Sequence, residues 1–70
     1  MASYYINNNQ QANGDYEVHR QGCRYFPTHD YTYVGEFYSC NGAVQEAKNR
    51  YPNRYRINGC YTCCKECHTT

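Results

Sequence analysis

The spacing of apolar and polar positions divides this chain into short elements. Tyr4-Tyr5-Ile6 is a β-prone run, followed by polar residues from Asn7 to Ala12. Asn13-Gly14-Asp15 predicts a tight turn, because Asn-Gly supplies the positive φ angles that hairpin turns need. Tyr16-Glu17-Val18-His19 alternates and reads as the second strand of a hairpin. Gln21 to Asp30, with Gly22 and Pro27, reads as loop. Tyr31 to Phe37 is rich in aromatic and β-branched residues and reads as a third strand, interrupted by Gly35.

Beyond Ser39, a candidate N-cap, the period changes. Cys40, Ala43, Val44, Ala47 and Tyr51 fall at helical spacing, with Gln45, Glu46, Lys48 and Asn49 facing out. Gly42 weakens the first turn. Tyr51-Pro52 ends the helix, since the residue before proline is pushed out of the α region. Asn53 to Ile57 reads as a short returning strand, and Asn58-Gly59 as a turn into the C-terminal segment. The pattern predicts an α+β fold. A small antiparallel sheet of three to four strands carries one helix and a C-terminal cysteine knuckle, in a single domain over 1–70 with its core at about 4–68.

Composition makes that core thin. There is no Leu and no Trp, and ten tyrosines with two phenylalanines must supply most of the buried area. Tyrosine hydroxyls need a partner or water, so these rings are expected half-buried with wet tips. A 70-residue chain with so few aliphatic side chains needs a metal or covalent staple.

The six cysteines are that staple. Four of them, with His68, crowd into Cys60-Tyr61-Thr62-Cys63-Cys64-Lys65-Glu66-Cys67-His68 as two Cys-x-x-Cys pairs. One such pair supplies half of a tetrahedral zinc site, and His19-x-x-x-Cys23 is a candidate for the other half. The expected ligands of one structural Zn2+ are therefore His19, Cys23, Cys60 and Cys63. The register stays open, because Cys64 and Cys67 can serve in place of Cys60 and Cys63. Cys40 reads as a small buried hydrophobe or as a disulfide partner of Cys64 or Cys67. A second metal site from Cys64, Cys67 and His68 lacks a fourth ligand. His29 reads as a solvated loop residue.

Zinc or disulfide depends on compartment. Residues 1 to 22 show no basic n-region, apolar h-region or cleavage site, and no stretch approaches a membrane span. The expectation is a cytoplasmic protein, where clustered cysteine reads as metal-binding. A purely disulfide framework is the rival, with a secreted toxin, inhibitor or surface ligand as its function. The net charge of +1 gives no general attraction to nucleic acid.

The succession Val18-His19-x-x-x-Cys23-Arg24-Tyr25, Tyr33-Val34-Gly35-Glu36-Phe37, Ser39, Ala43-Val44-x-x-Ala47 and Gly59-Cys60-x-x-Cys63 resembles the Ada-type zinc-binding module. That module is named for the N-terminal metal domain of a bacterial DNA-repair methyltransferase. The chain also resembles a group of short uncharacterised bacterial proteins ending in Gly-Cys-x-x-Cys…Cys-His. The resemblance, over about residues 4 to 63, implies zinc ligands at His19, Cys23, Cys60 and Cys63, and an aromatic at Phe37 packing under the Ser39-capped helix. In the repair enzyme all four ligands are cysteines and one accepts a methyl group from DNA. Here His19 stands in place of the first, and Cys40 and the segment after Cys63 are additions.

Three functions follow as expectations. The first is a non-enzymatic, zinc-stabilised binding module. Its candidate surface is Arg24, Tyr25, Arg50, Arg54, Tyr55 and Arg56, and its partner a single-stranded nucleic acid or a protein. The second is thiol redox or alkyl-acceptor chemistry at Cys63, Cys64 or Cys67 beside Lys65. The third is the disulfide-stabilised domain. Hydrolytic zinc catalysis is not expected, because it needs an open coordination position and Glu66 is the only carboxylate in the cluster.

Overall fold

A computed structural model describes residues 1–68. It forms β1 (Ala2–Asn7), β2 (Tyr16–Arg20), β3 (Tyr31–Phe37), α1 (Cys40–Arg50), β4 (Ile57–Gly59) and a 3-10 turn, Lys65–Cys67. The strands make one sheet in the order β3-β1-β2-β4. The small α+β architecture is the one expected, with one correction: the sheet is mixed. β1 runs antiparallel to both neighbours, whereas β4 lies parallel to β2, with Tyr16 opposite Ile57 and Val18 opposite Gly59. The reason is the connection. The chain leaves through β3 and returns by way of α1, and such a crossover delivers a strand in the parallel sense.

The period-2 alternation decides which side chains meet the helix. Tyr4 and Ile6 of β1, Val18 of β2, Val34 of β3 and Ile57 of β4 are buried on one face. Against them α1 lays Cys40, Ala43 and Ala47, the inner stripe expected from helical spacing. Small residues there let the helix approach closely. Phe37 sits under its first turn, and a Cβ on Gly42 would come within 2.8 Å of the Phe37 ring. Ser39 occupies the N-cap position in extended backbone, without a side-chain capping bond. Tyr51 ends the helix, as the following proline requires.

Tyrosine behaves differently from the expectation of general half-burial. Tyr4 is buried, Tyr5, Tyr16 and Tyr51 are half-buried, and the other six are exposed. Aliphatic and cysteine side chains make up most of the core instead.

Three local expectations change. The β1–β2 connection is not a two-residue hairpin, since residues 8–15 all lie between the strands. Gly14 has positive φ (97°), and a turn closes from Gly14 N to Gln11 O at 2.8 Å. Next, β4 starts at Ile57 and includes Asn58-Gly59, which had read as a turn. Asn58 is buried because its amide donates to Asp15 Oδ2 at 3.3 Å, while Arg56 Nε donates to Asp15 Oδ1 at 2.9 Å. Finally, Gly35 does not interrupt β3 but lies opposite Tyr4, beside the register shift between Tyr4 and Tyr5. Arg50 covers the carbonyls there, donating to Tyr33 O at 2.7 Å and Val34 O at 3.2 Å.

Cys40 and Cys67 form a disulfide between the start of α1 and the 3-10 turn. Of the two readings of Cys40, the disulfide partner is the one found, and the side chain is fully buried as well. A cross-link over a separation of 27 residues stabilises by about 3.5 kcal/mol through loop closure. No helix among the described residues is long and apolar enough to cross a membrane.

Candidate metal centre

On β2 the alternation that sends Val18 into the core turns His19 to the opposite face, where it is buried all the same. The chain then winds around Cys23 in two successive turns, Cys23 N to Arg20 O at 3.1 Å and Phe26 N to Cys23 O at 3.0 Å. The ring of Phe26 folds back edge-on over His19 and Tyr5, with centroids 6.2 and 5.1 Å away. Cys60 extends the β4 pairing, its N–H donating to Val18 O at 2.9 Å. A turn closed by Cys64 N to Cys60 O at 2.8 Å then brings Cys63 round.

Two strand ends and two turns thus converge. One ligand atom from each of His19, Cys23, Cys60 and Cys63 lies within 4.8 Å of all the others, so the group can hold a metal ion. Cys23 Sγ is 3.8 Å from Cys60 Sγ, and Cys63 Sγ is 3.9 Å from His19 Nδ1. The edges of a tetrahedron with metal–sulfur bonds of about 2.3 Å are about 3.8 Å long. Backbone N–H groups point at the sulfurs, from Arg20 to Cys63 at 3.2 Å and from Tyr25 to Cys23 at 3.4 Å.

Burial outweighs these donors. It pushes the Cys60 thiol up to about 12, and Cys23 is raised for the same reason. Cys63 is raised by its hydrogen bond with the Cys64 thiol and then by burial, and Cys64 is lowered by the same bond. Burial lowers His19, so its imidazole is neutral at neutral pH and one ring nitrogen can act as a ligand. Three protonated thiols and a neutral imidazole are what a closed thiol-rich site should be before a cation enters.

Glu17 completes the arrangement and was missed in the sequence. Its Oε1 lies 3.4 Å from His19 Nε2, a buried atom that makes no well-formed hydrogen bond. Glu17 and His19 are two apart on one strand, so alternation alone places them on one face. Phe26 gave no signal of comparable strength.

The other candidates are distributed as follows. Cys64 is a buried free thiol, Cys67 is committed to Cys40, and neither joins His19 and Cys23. His68 Nδ1 is 3.0 Å from Gly59 O, and its ring meets Tyr61 edge-on. His29 is exposed. Among the arginines, Arg54 lies between the rings of Tyr16 and Tyr51, 4.5 and 4.0 Å from their centroids, and donates to Asn8 Oδ1 at 3.1 Å. Arg50 and Arg56 are occupied as described above. Arg24 reaches over the Tyr25 ring at 5.7 Å, and Tyr25 and Tyr55 are exposed. A cavity of about 490 Å³ beside Cys60 is lined by Gln11, Glu17, Tyr25, Tyr61 and Thr62.

Compared with protein-family models, with curated proteins and with solved structures, the chain matches none.

Proposed function

We propose that this chain is a non-enzymatic binding module built around one structural zinc ion held by His19, Cys23, Cys60 and Cys63. The observation that carries the reading is the mutual approach of three thiols and an imidazole from two distant segments, all within 4.8 Å and two pairs at 3.8 and 3.9 Å. Three thiolates and an imidazole select zinc among the common divalent ions and leave no position for a substrate. The ion ties β2 and its following loop to the end of β4. The order of ligands and elements also supports the likeness to the Ada-type module, while His19 in place of a cysteine speaks against methyl-acceptor chemistry.

For the partner we favour a protein over single-stranded nucleic acid. Arg50, Arg54 and Arg56 are bound within the chain, which takes these three guanidinium groups away from tracking phosphates. Exposed Tyr25 and Tyr61 beside the cavity offer the amphipathic rings that protein interfaces use. The rival reading, a disulfide-stabilised domain, draws on the Cys40–Cys67 bond. Cobalt substitution separates the two. A tetrahedral three-thiolate site gives intense visible bands with sulfur-to-metal charge transfer, abolished in Cys60→Ser. Weak octahedral bands, or bands unchanged in that variant, contradict the proposal.

A further inference from the structure

At the opposite end of the knuckle a second set of donors converges. Cys40 Sγ, Cys67 Sγ and a Glu66 carboxylate oxygen also lie within 4.8 Å of one another. Both sulfurs belong to buried residues, at 0% and 7% exposure, while Glu66 is exposed. Each sulfur has an oxygen close by. Glu66 Oε1 is 3.1 Å from Cys40 Sγ, and Asn41 Oδ1 is 3.1 Å from Cys67 Sγ. A disulfide sulfur carries no proton, so neither oxygen receives a hydrogen bond from it. Breaking the disulfide would turn the two sulfurs into thiol ligands already flanked by these two oxygens.

The local backbone favours negative charge at this place. Cys40 is the first residue of α1, whose first turn contains no acidic residue and whose N-cap side chain makes no capping bond. Carboxylate and thiolate are stabilised at such an end by the helix dipole. Gly59 lets the 3-10 turn settle there, since a Cβ on it would come within 2.8 Å of Cys64 O and of Cys67 Cβ.

We propose that, when the Cys40–Cys67 bond is reduced, Cys40, Cys67 and Glu66 form a second site for a thiophilic divalent cation of the zinc type. The amide oxygen of Asn41 or a water supplies the fourth ligand. Reduction by a dithiol breaks the S–S bond. The disulfide takes two electrons and two protons and becomes two thiols, while the dithiol becomes a disulfide. The entering cation then displaces the two thiol protons to solvent, and a Glu66 carboxylate oxygen joins the two sulfurs as a ligand. The tie between the start of α1 and the C-terminal turn is therefore kept in both states, covalent when oxidised and metal-held when reduced. This explains how one chain can carry a disulfide next to four free thiols and suit a reducing compartment. The inference stands apart from the His19 site, because no ligand is shared.

Native mass spectrometry after zinc loading counts the ions. The chain is measured oxidised, and again after treatment with a trialkylphosphine, which reduces the disulfide while becoming a phosphine oxide with oxygen from water. The expected result is one more ion in the reduced chain than in the oxidised one. The oxidised count reports on the His19 site and the difference reports on the second. Equal counts overturn the proposal whatever their value. Under reduction Glu66→Gln, on an exposed side chain, should weaken the extra ion at least ten-fold and leave the first unchanged. An extra ion that survives both Glu66→Gln and the double variant Cys40→Ser/Cys67→Ser overturns the assignment.

Discussion

At the scale of single residues, Glu17 shows most clearly how a side chain outside the ligand set serves the site. Burial raises its carboxyl above the ordinary range, with the charge of His68 working the other way. A carboxylate kept mostly out of water beside a neutral imidazole is well placed to accept the Nε2 proton once Nδ1 binds a cation, which fixes the tautomer. Glu17→Gln keeps the shape and removes the charge. Zinc affinity measured against a chromophoric chelator should fall by about ten-fold or more, with the circular dichroism of the loaded chain unchanged. Unaltered affinity would mean Glu17 does not orient His19. Ile6 makes a different kind of claim. It is fully buried between sheet and helix, and Ile6→Ala should lower unfolding free energy by about 2–5 kcal/mol. A loss within measurement error would show that Ile6 is not part of a packed core.

Among the elements, β4 carries the site although it is only three residues long. It lies beside β2 in the parallel sense, so that Cys60 arrives next to the strand that bears His19. Gly59 is the residue on which this depends, because Cys64 and Cys67 occupy the space that a Cβ would need. Gly59→Ala should displace the C-terminal turn and lower the thermal midpoint by several degrees. An alanine at exposed Lys48 should do little, and equal effects at the two positions would contradict the packing role of Gly59. This is also where sequence reading met its limit. The α1 stripe, β3 and the end of the helix before Pro52 followed from periodicity and proline sterics, since both are local. The Asn58-Gly59 pair read as a turn because its partners, the Asp15 carboxylate and the β2 strand, are distant in the chain. The parallel pairing was hidden for the same reason. The four site residues were legible because Cys-x-x-Cys and His-x-x-x-Cys bring donors together through short turns. Glu17 was legible in principle from alternation, whereas the arginine-rich run was misleading to inspect in isolation. Its guanidinium groups find partners as far away as Asn8 and Asp15.

For the whole molecule, metal and fold should be one equilibrium. The His19 cluster joins segments more than 40 residues apart, as the Cys63–His19 approach illustrates. The site's thiols hold their protons at neutral pH, since burial raises Cys23 and Cys60, and the hydrogen bond with Cys64 and burial raise Cys63. His19, lowered by burial, carries no extra proton there. An entering divalent ion therefore displaces three protons, and apparent affinity must rise with pH, by about 1,000-fold per unit between roughly pH 6.5 and the ordinary thiol range. Acid acts in the opposite sense and releases the ion. Chelator competition at several pH values checks the slope, and a value near one proton per ion would contradict a three-thiolate site. The most direct measurement is mass spectrometry of one unreduced sample, first native and then denatured. One zinc ion is expected in the native species. In denaturant the expected mass is about two protons below that of the fully reduced chain, for the single Cys40–Cys67 bond. Three disulfides with no bound metal would contradict both expectations.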